Sequence, residues 1–408
     1  MKILFISDVP LKNPKSGSEQ VLYQQATGLA SEGNNVFAIT RMNSKYRSIE
    51  FSQHNGVLDA CYSLNTKNSF AALFTILRKS PYLFDKLKNG IPFSLAISHQ
   101  PLTCFSLILS GKLNKLPLLY VCHSPSHSEY ELLNDGKKSF RFWPQVIIRK
   151  WIESFCLKKS SKIMVLSRYM KRRIEHIHEI PRNHVIVNPG GVDLERFRPF
   201  DQRKQIKSEL HLPENKIHLL TVRNLEPRMG VDNLIKSIKI INRTRNIAHL
   251  TIGGDGPEKK NLQQLVKEFG LVKEVSLAGF IPSALLSKFY NAADFFILPT
   301  RKLEGFGLVT PESMACGTPV IGTPVGGTKE ILTKFDPNFL FRNSSPEAIA
   351  DGIQKIIKLY FDDQKNYENL RIRCREFTKN HYSWQRHIGQ LNALISDTIG
   401  TDCRKNLN

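Results

Sequence analysis

Short apolar runs alternate with longer amphipathic stretches through most of the chain. In the first half, KILFIS (2–7), NVFAIT (35–40), SLAIS (94–98), LLYVC (118–122), KIMVL (162–166) and VIVNP (185–189) read as strands. In the second half, IHLLTV (217–222), AHLTIGG (248–254), VSLAGF (275–280), DFFILP (294–299) and TPVIGT (318–323) do the same. Runs this short and this apolar suit strands buried on both faces. Helical periodicity lies between them, as in Val21 to Ser31 and Val231 to Ile241. The alternation predicts α/β domains built on doubly wound parallel sheets. Such sheets hold ligands at the carboxyl ends of their strands, so a cleft between two facing edges is the expected active site.

Length adds the domain count. At 408 residues the chain exceeds what one core organises. The polar stretch DLERFRPFDQRKQ (193–205) is the natural break. The resulting division is an N-terminal domain 1–199, a C-terminal domain 200–380 and a last helical stretch 381–408. MKILFISDVP reads as a first buried strand and not as a signal peptide, because Asp8 interrupts it early. No apolar run approaches the ~18 residues of a membrane span. The seven cysteines are scattered without a Cys-x-x-Cys pair, which argues against a disulfide framework or a zinc site and suits a reducing cytosol. The net charge of +22 predicts attraction to anions: phosphorylated substrates, acidic lipid or nucleic acid.

Candidate chemistry concentrates in LEGFGLVTPESMACGTPVI (303–321). A strand ends near Pro299, and a helix is expected to start with Thr310 as N-cap and Pro311 in its first position. Leu308, Val309 and Glu312 then surround a helix N-terminus, where main-chain N–H groups favour an anion. With the anion held by main chain, Glu304 and Glu312 are free to accept hydrogen bonds from hydroxyls, as an acidic residue grips a ribose diol. Phosphate, ribose and a further polyol together describe a nucleotide sugar.

The stretch EGFGLVTPE resembles the Glu-x7-Glu motif of retaining glycosyltransferases with the GT-B fold, family 4 above all, and SMACGTPVIGTPVGGTKEIL is similar to the family's next segment. SGSEQVLYQQATGLASEGNNV, VIVNPGGVDLERFRP, TVRNLEPRMGVDNLI, IGGDGPEKKNL and HYSW extend the resemblance over essentially the whole chain. It implies two Rossmann-like domains facing a central cleft, the first binding acceptor and the second the nucleotide sugar, with the last helix packing back on the first domain. It implies that Glu312 bonds the donor ribose and Glu304 the donor sugar, and that Gly305, Phe306, Gly307, Leu308 and Val309 offer main-chain N–H groups to sugar and diphosphate. Arg223 matches the family's arginine on the diphosphate; the usual lysine is Met229, and Arg228 beside it is the substitute. KSGSEQ puts Ser16-Gly17 where a Gly-Gly pair is common, with Gly17 keeping the approach to the diphosphate. His123, at the end of the strand in YVCHSPSH, matches a histidine close to the transferred sugar. His99 also ends a strand and is assigned to the acceptor, whereas His127, His176 and His178 read as surface residues.

The implied reaction is front-face transfer with retention. The chain has no Asp-x-Asp, so arginine and main chain are expected to do the work of a divalent ion, with no cofactor and no metal. SFRFWPQVIIRKWIESFCLKKSSK (139–162) mixes Trp143, Trp151 and Phe155 with Arg149, Lys150, Lys158 and Lys159, a pattern suited to an anionic membrane surface. The sum is a cytoplasmic hexosyltransferase, peripheral on the inner face of a membrane. It takes a UDP- or GDP-sugar and a glycan, lipid-linked or phosphorylated acceptor. Two rivals remain at the level of sequence: a nucleotide-sugar epimerase of the same architecture, and a basic nucleic-acid-binding protein, for which no aromatic-basic motif is evident.

Overall fold

In the computed structural model, which describes residues 1–43, 48–64, 69–90, 92–134, 142–242 and 247–405, the apolar runs pair edge to edge in two separate sheets. The first contains β1 (Lys2–Ile6), β2 (Asn35–Asn43), β3 (Ile49–His54), β4 (Val57–Leu64), β5 (Leu95–Ser98), β6 (Leu118–Cys122), β7 (Lys162–Val165) and β8 (Val185–Val187). Their order is β3-β4-β2-β1-β5-β6-β7-β8, parallel everywhere except between β3 and β4. The second contains β9 (Ile217–Val222), β10 (Ala248–Gly253), β11 (Val275–Gly279), β12 (Phe295–Leu298) and β13 (Val320–Gly322), all parallel, in the order β11-β10-β9-β12-β13. Helices lie between the other parallel neighbours, whereas β2 and β4 are joined through the strand β3.

The chain divides into two compact units, Met1–Gly190 with Trp384–Asn408, and Gly191–Ser383. The break therefore precedes the polar stretch at 193–205, earlier than the sequence suggests. The reason is packing: Phe197 lies edge-on to Tyr290 at 5.8 Å, and Arg203 donates to the Asn291 carbonyl at 2.8 Å, so the stretch belongs to the second unit. At the other end, His381 closes the helix Gln364–His381, and the first unit resumes only with the helix Trp384–Lys405. This last helix buries Ile388, Leu391, Leu394 and Ile395 among Ile3, Phe5, Leu22 and Leu29. Each such side chain removed from water contributes roughly 1.5–3 kcal/mol. Gly28 on the helix Gly17–Ser31 makes the close approach possible, since a Cβ there would come within 2.8 Å of Ile388.

Both sheets reverse their winding beside their first strand. β1 lies between β2 and β5, and β9 lies between β10 and β12. Such switch points open a crevice at the strands' carboxyl ends. In the first unit those ends lead into Asp8 and His99; in the second they lead into Arg223 and Thr300.

Candidate functional site

Arg223 follows β9 directly, and its main-chain N–H is fixed by the Gly253 carbonyl at 3.0 Å. Its guanidinium is buried, and one terminal nitrogen donates to the carboxylate of Glu304 and, at 3.1 Å, to Thr300 Oγ1. Arg223 Nε is buried with no hydrogen-bond partner, a donor held out of water for something else to accept. Glu304 reaches this pair because the loop after β12 turns sharply at Leu303, whose φ is +54°. The loop is clamped from behind: Gly327 N donates to the Glu304 carbonyl at 3.0 Å. Gly326 has φ +60°, and a Cβ there would lie 2.0 Å from that same carbonyl oxygen, so only glycine fits. Phe306 is buried edge-on to Tyr382 at 5.8 Å, which anchors the middle of the loop.

The helix after this loop begins at Val309, not at Pro311, and spans Val309–Ala315. Thr310 does not cap it. Its side chain is fully buried, 3.5 Å from Thr328 Oγ1, and no side chain among the described residues caps the start of the helix. Thr310 N instead closes on the Gly307 carbonyl at 2.8 Å. Glu312 sits in the first turn and accepts from the Tyr290 hydroxyl at 3.0 Å. Burial pushes the Glu312 carboxyl above its usual range, against the opposing pull of the Tyr290 hydroxyl and Arg196.

Arg228 is committed elsewhere. Its Nε donates to Glu226 at 2.8 Å and its Nη1 to the Leu303 carbonyl at 2.6 Å, immediately before Glu304. Met229, in the lysine's position, is buried with its sulfur 2.9 Å from the Arg223 guanidinium.

In the first unit, Ser16 is the N-cap of the helix Gly17–Ser31 and forms a capping box with Glu19, so Gly17 is the first helical residue. Asp8 accepts from the main-chain N–H groups of Leu102 at 2.8 Å and Thr103 at 2.9 Å, capping the helix Pro101–Leu109 from another strand. His99 and His123 follow β5 and β6, and their rings meet: His99 Nδ1 lies 3.0 Å from His123 Nε2. Burial, then His123 and His387, hold His99 well below the usual histidine range, and burial lowers His123 to about 4. The pair is therefore neutral near pH 7, one ring donating and the other accepting. His99 Nε2 remains buried without a partner.

One expectation needs correction. His127 and His178 are buried, 6% and 2% exposed, because Glu153 draws both rings inward; His176 alone of the three is exposed. The helix Phe142–Lys159 buries Phe142, Val146, Ile152 and Glu153 yet leaves Trp143, Ile147, Ile148 and Trp151 more than half exposed. Ser139 to Arg141, at the head of that stretch, lie outside the described residues. Sequence reasoning missed Tyr290, Thr300 and the Gly326-Gly327 clamp. The pair of glycines was the available signal for a main-chain contact.

Residues 15–196 match the family described as Glycosyltransferase Family 4, and residues 202–380 match Glycosyl transferases group 1. The chain is 24% identical to the D-inositol 3-phosphate glycosyltransferase of Corynebacterium glutamicum, over 98% of each chain. Its fold is similar to sucrose-phosphate synthase from Thermosynechococcus elongatus, with a TM-score of 0.82 and 21% identity over 98% of this chain and 100% of that one. It is also similar to Anabaena HepE in complex with UDP-glucose, with a TM-score of 0.73 and 17% identity over 97% of this chain and 100% of that one.

Proposed function

Because the chain belongs to the family 4 glycosyltransferases of GT-B type, we propose that it transfers a hexose from a UDP- or GDP-sugar to a hydroxyl of its acceptor with retention of configuration. The observation that carries this reading is the buried Arg223–Glu304 pair at the switch point of the second sheet, one loop away from Glu312. In it, Glu312 accepts from the donor ribose and Glu304 from the sugar. The unpaired Nε of Arg223 and the N–H groups of Gly305 to Val309 meet the diphosphate. Positive charge fixed in place before the bond breaks stabilises the leaving group without reorganisation. Arg223 and main chain supply it, and the transfer uses no divalent ion.

By the family resemblance, Gly17 is assigned to the donor, His123 to the transferred sugar and His99 to the acceptor. A neutral His123 can donate or accept a hydrogen bond without competing for the diphosphate's counter-charge. Arg228 acts as a positioning residue, holding the Leu303 carbonyl and hence the turn that aims Glu304.

The acceptor is anionic or lipid-linked, and the enzyme works at the cytoplasmic face of a membrane. The charge of +22 supports this, as does the ridge of Trp143, Ile147, Ile148 and Trp151 beside Lys150, Lys158 and Lys159. The phosphorylated acceptor in the name of the Corynebacterium relative is of the same chemical kind. No helix among the described residues is long and apolar enough to cross a membrane. Mass spectrometry after incubation with a panel of nucleotide sugars and of phosphorylated or lipid-linked polyols tests the reading. A glycosylated acceptor is expected. An isomerised donor sugar with no acceptor product would favour the epimerase.

A further inference from the structure

We propose that His127, Glu153 and His178 form a binding site for one divalent transition-metal ion, zinc by the chemistry of the set, inside the N-terminal unit. The three residues come from three helices, Ser126–Leu133, Phe142–Lys159 and Arg168–His178, and are 6%, 1% and 2% exposed. Glu153 Oε2 lies 3.5 Å from His127 Nδ1 and 3.4 Å from His178 Nε2, and all three donor atoms fall within 4.8 Å of one another.

These separations suit a shared ion better than a direct contact. A charge-assisted N–H···O bond closes to about 2.7–2.9 Å. Ligands about 2.0–2.1 Å from a tetrahedral zinc stand roughly 3.4 Å apart. In keeping with this, His127 Nδ1 and His178 Nε2 are both buried with no hydrogen-bond partner, aimed at the same carboxylate oxygen.

The opposite ring nitrogens are already engaged. His127 Nε2 lies 3.3 Å from Ser128 Oγ, and His178 Nδ1 lies 2.6 Å from Ser154 Oγ. If those nitrogens donate, the inward pair are lone-pair donors, the tautomer a metal requires, held by hydroxyl partners of the kind that orient ligating histidines. Ser126 N–H donates to Glu153 Oε2 at 3.1 Å and holds the carboxylate in place, and a water would complete the fourth position. Two imidazoles and one carboxylate form a borderline set that favours zinc over calcium or magnesium.

An ion here would join three helices and fix the start of the helix that follows His123 by three residues. Its role is structural. None of its ligands belongs to the proposed donor-binding set, so the site stands or falls separately from the proposed transfer reaction.

The test uses the full chain without a histidine tag, stripped by prolonged dialysis against chelator and titrated with cobalt(II). One equivalent should bind with the visible ligand-field absorption of a tetrahedral site. One equivalent of zinc should bleach that absorption and raise the thermal midpoint by about 5 °C or more. Glu153→Gln and His178→Gln should each abolish the absorption. A wild-type chain with neither absorption nor a zinc-induced shift would overturn the site. Equal uptake by wild type and both variants would overturn it too. Should the variants fail to fold, the wild-type titration decides alone.

Discussion

Arg223 donates to the Glu304 carboxylate across 81 residues of sequence, joining the loop after β9 to the loop after β12. The two strands are direct neighbours, so the sheet itself sets this pair. Arg223→Ala would leave Glu304 buried without its cation and remove charge from the proposed leaving-group site. Turnover should fall about 10²–10³-fold, with a smaller loss in donor binding. Arg228→Ala should cost about tenfold in turnover, because it only loosens the Leu303 turn. Steady-state kinetics alongside donor affinity measures both. An equal or greater loss in Arg228→Ala would make Arg228 a direct diphosphate ligand.

The imidazoles of His99 and His123 should stay neutral through the physiological range. With His123 lowered to about 4, its ring resonances should not titrate between pH 5 and 8. The sign of the linked stability is set by the depressed folded value. His123 contributes stability that is fully present above about pH 6.5 and is lost as pH falls toward 4, since the unfolded chain takes up the proton first. NMR of the ring carbons reads this directly; a midpoint near 6.5 would contradict the buried pair.

Transfer should not depend on a divalent ion. Initial rates measured within minutes of adding excess EDTA should match the untreated enzyme. A loss at once, restored by manganese or magnesium, would show that arginine and main chain do not suffice. A slow loss over hours, restored by zinc and paralleled by a lower thermal midpoint, belongs instead to the structural site at Glu153.

Binding to anionic liposomes should be salt-sensitive, and binding to neutral ones weak. Each lysine or arginine close to an anionic surface contributes about 1 kcal/mol, screened within about 10 Å. Replacing Trp143 and Trp151 with serine should weaken sedimentation with vesicles while leaving the fold intact, because both rings are more than half exposed. Protein left in the supernatant at low salt would remove the membrane from the account.

Among the described residues, eleven of the thirteen strands were legible as short apolar runs, most of them because a strand buried on both faces must be apolar throughout. The β3–β4 hairpin was not, since β3 is largely exposed and carries Glu50, Ser52, Gln53 and His54. Its signal was Asn55-Gly56, both at positive φ in the turn. Glu304 and Glu312 were singled out by local motif chemistry and Arg223 by the family resemblance, and the structure brings Arg223 and Glu304 together. The burial of His127 and His178 was not legible, because the groups that bury them, Glu153 and each other's rings, come from separate helices. Thr310 read as a cap because short-range rules see the next three residues and not Thr328, which lies against it from a separate helix.

The most direct test of the central claim is the affinity of a nucleoside diphosphate for the wild type and for Glu312→Gln, measured by calorimetry. The nucleotide is the one that most raises the thermal midpoint in a screen. The variant keeps an acceptor for the Tyr290 hydroxyl and so should keep the fold. It removes the charge from the proposed ribose contact. Binding should weaken by ~1–3 kcal/mol, roughly 5- to 150-fold. Unchanged affinity in a folded variant would take Glu312 out of the donor site and contradict the account.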